Sequence, residues 1–296
     1  MYEIGFIGFG EAAAAFVAGW RDAGRAATVA AYDLLFDDAA KRPGKLAECR
    51  AAGVTPLQSA ERVRDACARI VSAVTPDEVL AAARSVTPLR EGQACFDIAS
   101  AAPKKKRAAA AILGDGYVDV AVMAPVLERR HGTAMLVGGR RAAAEAAFLA
   151  EYFPSAEVFS DAVGDASLVK MIRSVFVKGL ESIAVECTLA ASRAGVTDTV
   201  FPSLDRALRF DTMRALADYT LERVAVHGQR RGAEMDEVCE TLRDLGVPSA
   251  MSAGSAATQK AMGALSLERL PRDAERVARA ALEGLERASG MDGEAR

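Results

Sequence analysis

The sequence predicts two domains of different class, an α/β domain over residues 1–162 and an all-α domain over residues 163–296. Strand-like and helix-like runs alternate along the first domain, which predicts a parallel sheet with helices on both faces. A glycine-rich turn joins the first strand to the first helix. Beyond residue 163 the strand-like runs stop, and one unbroken helical run of about 30 residues begins.

The length and composition of the chain fit two globular domains. Its 296 residues are 51% hydrophobic, which is enough for two cores. The formal net charge of −3 argues against nucleic acid or a membrane surface as a partner. Short basic runs at 104–107, 129–130 and 140–141 are interpreted as solvated helix ends and loops.

Cysteine usage predicts a reducing compartment. The chain has five widely spaced cysteines and two histidines, with no C-x-x-C pair and no metal-ligand spacing. No apolar run reaches about 18 residues, and the first residues enter a strand directly. We therefore expect a cytoplasmic protein with reduced thiols and no metal site.

The first strand, 3–8, and the turn after it form a phosphate-binding pattern. The G-x-G-x-x-A motif consists of Gly8, Phe9, Gly10, Glu11, Ala12 and Ala13. The first glycine permits a sharp turn, the second lets a pyrophosphate approach the backbone, and the small last residue lets the helix pack on the strand. The N–H groups and positive dipole end of the helix then face the anion.

An acidic residue ends the second predicted strand, 28–33. Asp33 lies about 20 residues after Ala13, where a carboxylate accepts hydrogen bonds from the adenosine ribose and repels a 2′-phosphate. Together the two features predict an NAD site, with NADP as the less favoured cofactor. The alternative is a glycine turn in an α/β domain that binds no nucleotide, with Asp33 as a surface acid.

Further strands and helices complete the predicted α/β domain. The other strands are 69–74, 94–98, 116–122 and 133–137, with 55–57 as a candidate minor strand, and the helices are 11–23, 39–51, 59–66, 76–85, 104–113 and 141–152. Ligands bind at the carboxyl ends of parallel strands, so Val74, Thr75, Ser100 and residues 122–126 are candidate contacts. Ser100 equally suits helix capping, which does not exclude contact with a ligand.

The second domain begins with one long predicted helix. Residues Asp165–Ala194 contain no proline or strong breaker, and a helix of that length spans about 45 Å. Its sequence is apolar on most faces, so we expect it to be buried. Residues 200–288 predict further helices without strands, and residues 290–296 predict a frayed tail.

Lys170 is a candidate for proton transfer. It lies one turn into the long helix among apolar neighbours, on a stripe with Ser174, Lys178 and Glu181. Desolvation lowers the pKa of a buried lysine, which suits general acid–base catalysis near neutral pH. The alternative is a lysine that extends to the surface.

A second polar group lies further along the chain. His227, Arg231 and Glu234 share one helix face at i, i+4 and i+7. They predict an anion or carboxylate site in which Glu234 orients Arg231, and the alternative is a solvated, salt-bridged face. Gly228 and Gly232 either weaken this helix or let another group approach closely.

Four segments resemble the β-hydroxyacid dehydrogenases related to 6-phosphogluconate dehydrogenase, over nearly the whole chain. They are GFIGFGEAAAAF with Asp33, DIASAAP at 97–103 (similar to D-x-S-T-x-x-P), YVDVAVMAPV at 117–126 (similar to D-A-P-V-S-G-G) and GDASLVKMIRS at 164–174 (similar to G-x-G-x-x-x-K-x-x-N-N). The resemblance implies a Rossmann domain followed by a helical domain built on a long interdomain helix, assembled as homodimers or larger homo-oligomers.

By that resemblance Lys170 is the catalytic lysine. It would exchange the hydroxyl proton while a hydride moves between the nicotinamide and an alcohol carbon of a small hydroxy acid. Imine reductases share the fold but commonly lack this lysine, so its presence favours alcohol and carbonyl chemistry.

The substrate half departs from the family pattern. Met123, Ala124 and Pro125 replace Ser-Gly-Gly, and Pro125 has no N–H to offer a substrate carboxylate. Arg173 and Ser174 replace two asparagines, and Arg173 offers an anion site instead. The segment 227–235 resembles a branch of the family with no assigned substrate, where His227 and Arg231 are expected near the cleft, from the same subunit or its partner.

We therefore expect an NAD(P)-dependent oxidoreductase that acts on a small acidic hydroxy or oxo compound. One alternative is a non-catalytic dinucleotide-binding sensor or interaction protein, which the rewritten substrate half suggests. Another alternative is an imine reductase-like enzyme.

Overall fold

The computed structural model describes residues 1–207, 209–265, 267 and 273–288. The chain divides into two compact units, Met1–Val175 and Phe176–Arg296. Residues 163–175, which begin the long helix, belong to the first unit. The tail predicted at 290–296 lies outside the described residues.

The first unit is built on an eight-stranded sheet with the strand order β3-β2-β1-β4-β5-β6-β7-β8. The strands are β1 Tyr2–Ile7, β2 Val29–Tyr32, β3 Thr55–Pro56, β4 Cys67–Ser72, β5 Ala94–Asp97, β6 Tyr117–Val122, β7 Met135–Gly138 and β8 Ala156–Ser160. Seven α-helices of this unit lie between strands: α1 Glu11–Asp22, α2 Arg42–Ala51, α3 Ala60–Ala66, α4 Val79–Ser85, α5 Pro103–Leu113, α6 Val126–Arg129 and α7 Ala146–Tyr152.

The prediction of an α/β domain followed by helices is confirmed, but the sheet is not wholly parallel. Strand β7 pairs antiparallel with β6, while β8, which the sequence analysis did not predict, pairs parallel with β7. A strand's side-chain period of two residues carries no information about the direction of its neighbour. All five residues of β8 are exposed or half-buried, and its two large apolar residues, Val158 and Phe159, are too short a run to predict a strand.

Aromatic packing fixes α1, and with it the glycine turn, against the sheet. Trp20 of α1 stacks on Phe6 of β1 and meets the ring of Phe153 edge-on. Its indole Nε1 donates a hydrogen bond of 2.6 Å to the carbonyl oxygen of Tyr152. The polar atom of this buried side chain is therefore satisfied while its ring fills the core.

Within the described residues, the remaining helices are unaccompanied by strands. They are α8 Asp165–Ala194, α9 Thr197–Ala207, α10 Met213–Asp244, α11 Ala250–Ala264 and α12 Ala274–Ala288. Two of them, α8 and α10, have 30 and 32 residues. The bounds predicted for the long helix are those of α8. No helix among the described residues combines the length and the apolar character that crossing a bilayer requires.

The expectation that α8 is buried is wrong for the single chain. Large apolar side chains of α8 face solvent, with Ile172 63% exposed and Val175 77% exposed. Others on the same helix that are more than one third exposed are Leu168, Phe176, Leu180, Ile183, Val185 and Leu189. An apolar helix surface of this extent is typical of an interaction face, since scattered single residues would need no explanation.

Candidate functional site

The glycine turn between β1 and α1 has the geometry that its sequence predicts. Gly8 has a φ of +81°, and a Cβ there would lie 2.8 Å from the carbonyl oxygen of Ala73, so a side chain is excluded twice over. A Cβ on Gly10 would meet nothing within 4 Å. Ala13 is fully buried and packs in the core between α1 and the sheet.

Asp33 is fixed beside this turn by two backbone amides. Its Oδ2 accepts from the N–H of Phe9 at 2.8 Å, and its Oδ1 accepts from the N–H of Leu35 at 2.9 Å. The side chain of Phe9 is buried in the core, so its part in the turn is through the backbone. Glu11 and Ala12 form the first turn of α1.

One cavity of about 470 Å³ unites five of the predicted residues. Gly8, Gly10, Asp33, Val74 and Thr75 all line it, although they come from three separate segments of the chain. The turn after β1, the end of β2 and the end of β4 therefore meet at the carboxyl edge of the sheet, where ligands of such folds bind.

The same cavity has polar residues that the sequence analysis did not single out. Ser59, Glu61 and Glu78 line it together with Asp33. A hydrogen bond from Ser59 lowers the pKa of Glu61, so its carboxylate is ionised at neutral pH. Ser59 also caps α3, a cue visible in the sequence as a serine before an acidic helix start. The cavity wall is therefore rich in negative charge.

Lys170 and Ser100 meet, although 70 positions separate them in the chain. The Nζ of Lys170 donates to the Oγ of Ser100 at 2.5 Å. The helix after Ser100 begins at Pro103, with Ala102 as its N-cap residue and no side-chain capping bond. The structure therefore shows no capping of α5 by Ser100, and it adds a contact with the candidate catalytic lysine that the sequence did not predict.

The basic runs were wrongly interpreted as wholly solvated. Lys106 of α5 is fully buried, and its Nζ lies 3.2 Å from Asp97 Oδ1 and 3.5 Å from Asp119 Oδ1. Arg141 is partly buried and pairs through its Nε with the buried Glu145 at 2.9 Å. The sequence of a lysine run does not reveal which lysine is buried. That depends on the buried carboxylates with which the lysine pairs, and these lie on β5 and β6.

Among the residues predicted to bind substrate, Met123, Arg173 and Ser174 lie in the first unit, and each has a different environment. The N–H of Met123 donates to the carbonyl oxygen of Ala134 at 2.8 Å, so Met123 extends the pairing of β6 with β7. Arg173 is exposed, whereas the hydroxyl of Ser174 donates to the carbonyl oxygen of Lys170 at 2.8 Å. The hydroxyl of Ser174 is therefore bonded within its own helix. Arg173 is the side chain of the pair that faces solvent.

The second polar group lies on α10 in the other unit. His227 is exposed, and Arg231 is half-buried. Glu234 pairs with Arg230, which corrects the prediction that it orients Arg231. Arg230 and Glu234 are four residues apart, the spacing at which helical side chains meet.

The glycines of this region serve close helix packing. A Cβ on Gly228 would lie 2.2 Å from the carbonyl oxygen of Gln259, and one on Gly232 would lie 2.4 Å from Lys260 Cγ. Helix α10 is continuous across both positions. Of the two roles left open for these glycines, close approach is therefore the one observed, and the approaching group is α11.

Comparison with known proteins gives a family model and a curated relative, each of which matches part of the chain. A family model described as a domain of unknown function (DUF1932) matches residues 191–262. A curated relative, an uncharacterized 28.5 kDa protein of Methanothermus fervidus, is 26% identical over 175 residues, which are 58% of this chain and 65% of that protein. The chain thus spans less than two thirds of the length of that relative.

Solved structures match over nearly the full length. A conserved hypothetical protein from Sinorhizobium meliloti 1021 is 33% identical, with 96% of this chain and 97% of that chain covered and a TM-score of 0.56. MTH1747, a conserved protein of unknown function described as structurally similar to 3-hydroxyacid dehydrogenases, is 28% identical, with coverage of 95% and 99% and a TM-score of 0.56.

Imine reductases and reductive aminases share the fold at lower identity. The imine reductase from a Pseudomonas species is 14% identical, with coverage of 94% and 99% and a TM-score of 0.70. A reductive aminase from Aspergillus terreus, 16% identical, was solved in complex with NADPH and ethyl levulinate. At 33% identity over nearly the whole of both chains, this chain belongs to one family with the conserved hypothetical protein from Sinorhizobium meliloti 1021, and it shares with MTH1747 the fold that is described as similar to 3-hydroxyacid dehydrogenases.

Proposed function

We propose that the protein is an NAD(P)-dependent oxidoreductase that transfers hydride between a nicotinamide and a small hydroxy or oxo acid. Lys170 acts as the general acid and base. The observation that carries this proposal is the contact of Lys170 with Ser100, in the same unit as the glycine turn and Asp33. A proton-transfer group and a dinucleotide cradle together suit alcohol and carbonyl chemistry.

The glycine turn supports a dinucleotide as the cofactor. Because a Cβ on Gly10 would point into open space, the backbone there is accessible to a pyrophosphate. Gly10 is also the N-cap of α1 without a side-chain capping bond, so no side chain competes with an anion at this position. The cavity beside the turn has room for the adenosine half.

The carboxylates of this cavity favour NAD over NADP. Asp33, Glu61 and Glu78 line the space in which the adenosine ribose would lie. A carboxylate accepts hydrogen bonds from ribose hydroxyls, whereas a 2′-phosphate adds negative charge that three acids repel. NADPH in the Aspergillus terreus enzyme shows that the fold itself accepts the other cofactor, so the preference depends on these side chains.

The residues around Lys170 define its part in the reaction. A bound nicotinamide would accept the hydride from the alcohol carbon during oxidation and return it during reduction. Lys170 Nζ takes the hydroxyl proton during oxidation and gives it back to the forming alcohol during reduction. Ser100 Oγ, which accepts a hydrogen bond from this nitrogen, orients it.

Replacing the lysine tests the proposal. We expect Lys170→Ala to lower turnover by roughly 10²–10⁴-fold, the usual contribution of a positioned acid–base group, while cofactor affinity is retained. The measurement is NADH absorbance across a panel of small 2- and 3-hydroxy acids and their oxo forms. Lys178→Ala, two turns further along the same helix, is the matched control. Unchanged turnover in Lys170→Ala would remove this residue from the mechanism.

The region after β6 favours one alternative function. Met123 uses its N–H in the sheet and Pro125 has none, so this segment offers few backbone donors to a substrate carboxylate. A dinucleotide-binding sensor needs no such donors. Stabilisation of the protein by NAD in a thermal-shift assay, without turnover of any compound in the panel, would support the sensor.

The structural neighbours favour a second alternative, an imine-forming reductase. One Aspergillus terreus neighbour was solved with NADPH4, cyclohexanone and allyl amine. Turnover of a ketone or oxo acid that requires an added amine would identify this chemistry. Turnover of the hydroxy acids without an amine would favour the dehydrogenase.

A further inference from the structure

We propose that the buried cluster of Lys106, Asp97 and Asp119 positions Lys170 against Ser100. The inference rests on the proposed role of Lys170, and it assigns a purpose to three charged side chains that touch neither solvent nor the cavity. Lys106 and Asp119 are fully buried and Asp97 is 2% exposed. The three act as positioning residues, since none of them is placed at the reacting atoms.

The ammonium of Lys106 joins the two carboxylates. Its Nζ donates to the carbonyl oxygen of Asp97 at 2.8 Å and lies within 3.5 Å of one carboxylate oxygen each of Asp97 and Asp119. These three oxygens match the three donors of an ammonium group. The geometry therefore leaves Lys106 little freedom to move relative to either strand.

One carboxylate fixes the segment that carries Ser100. Asp97 Oδ1 accepts from the N–H of Ala99 at 3.0 Å, and Ala99 directly precedes Ser100. Asp97 Oδ2 accepts from the hydroxyl of Tyr117 at 2.7 Å. Burial and the nearby Asp97 raise the pKa of Tyr117, so its hydroxyl stays protonated and remains a donor.

The other carboxylate fixes the helix that carries Lys170. Asp119 Oδ2 accepts from the N–H groups of Gly164 and Ser167 at 3.0 and 3.2 Å, and Oδ1 accepts from the hydroxyl of Ser167 at 2.6 Å. Ser167 lies one turn before Lys170, on the same side of α8. The cluster thus connects the segments of Ser100 and Lys170 through hydrogen bonds and the ion pair of Lys106 with Asp119, within one unit.

Stability alone is a weak reason for such a cluster. Burying three charges costs solvation energy, and apolar residues of similar volume often stabilise a fold as well or better. Positional accuracy is a stronger reason, because a misplacement of about 1 Å can cost about 100-fold in rate. A rigid ionic link between the two segments supplies that accuracy.

Four variants test the cluster. Lys106→Met removes the ammonium, Asp119→Asn removes a charge at constant size, and Ser167→Ala removes one hydroxyl. Ser167→Thr returns that hydroxyl and is the conservative rescue. Lys104→Met, an exposed lysine on the same helix as Lys106, is the matched control. Should Lys106→Met fail to fold, Ser167→Ala decides the question, because it removes a single hydrogen-bonding atom.

The first readout needs neither cofactor nor substrate. The rate at which acetic anhydride acylates Lys170 is measured at one fixed pH by mass spectrometry of the peptide. We expect this rate to rise several-fold in Ser167→Ala and Asp119→Asn, because the amine is no longer held on Ser100, and to return with Ser167→Thr. Lys104→Met should match the unaltered protein. An acylation rate that stays constant in all folded variants overturns the proposal.

The second readout separates positioning from general destabilisation. With a substrate from the panel, we expect kcat to fall about tenfold or more while the Kd for NAD and the KM stay constant. A fall in cofactor affinity with an unchanged kcat also overturns the proposal. If the unaltered protein turns over no compound, the proposed function fails, whereas the acylation experiment still reports on the cluster.

Discussion

At the residue scale, we expect Asp33 to govern the choice between NAD and NADP. Each of its oxygens accepts one backbone N–H, from Phe9 or Leu35, and each has a second lone pair for a ribose hydroxyl. We expect Asp33→Asn to weaken NAD binding by about 1.5–3 kcal/mol, the range for hydrogen bonds to a charged group, and to strengthen NADP binding. Fluorescence titration of both cofactors measures the change.

The control for this residue is a nearby acid outside the cavity lining. Asp38→Asn changes the net charge of the protein by the same amount as Asp33→Asn. Its amide oxygen can still accept a hydrogen bond from the N–H of Ala40, as the carboxylate does. We expect its affinities for both cofactors to match those of the unaltered protein. Equal NAD and NADP affinities in the unaltered protein would contradict the role given to Asp33.

At the scale of elements, the contact between α10 and α11 depends on glycines. A Cβ on Gly228 would overlap the backbone of α11, which cannot move as a side-chain end can. We expect Gly228→Ala to lower the free energy of unfolding by about 1–3 kcal/mol, the usual cost of overpacking. Urea unfolding followed by circular dichroism is the measurement.

A second glycine provides the opposite expectation. Gly254 lies within α11, and a Cβ there would meet nothing within 4 Å. Gly254→Ala should therefore raise the free energy of unfolding by about 0.5–1 kcal/mol, because alanine favours helix over glycine. If both variants changed stability equally, helix propensity and not interhelical distance would govern the contact.

At the scale of the whole molecule, we propose that the exposed face of α8 packs against a second copy of the chain. Leu168, Ile172, Phe176, Leu180 and Ile183 follow at three- and four-residue spacing, so they form one apolar face. We expect a homodimer in analytical ultracentrifugation and dissociation toward monomer in Ile172→Asp. Lys178→Asp, on another face of α8, should leave the dimer intact. A monomeric unaltered protein at micromolar concentration would contradict the assembly.

Local patterns predicted much of this molecule, because the information they use is local. The motif from Gly8 to Ala13 and the position of Asp33 determine the turn and its acid within one βαβ unit. The bounds of α8 followed from the absence of breakers between Asp165 and Ala194. In each case the residues that determine the structure lie within the same short segment of the sequence.

The features that were missed depend on distant partners. The direction of β7 is set by its pairing with β6. The burial of Lys106 is set by its ion pairs with carboxylates on β5 and β6. The apolar side chains of α8 are exposed in the single chain, and the proposed second copy would cover them. Periodicity reports how apolar a face is, and it does not report which molecule covers that face.

The bond from Phe9 to Asp33 implies that the turn holds its shape before any cofactor arrives. A hydrogen-bonded amide exchanges its proton for deuterium slowly, at a rate set by local opening. We expect the Phe9 amide to be protected in the cofactor-free protein and to lose protection in Asp33→Ala. Hydrogen–deuterium exchange of the segment 5–12 measures this. Association with NAD should then be fast and free of a slow ordering step, since the entropy of fixing the loop is lost during folding.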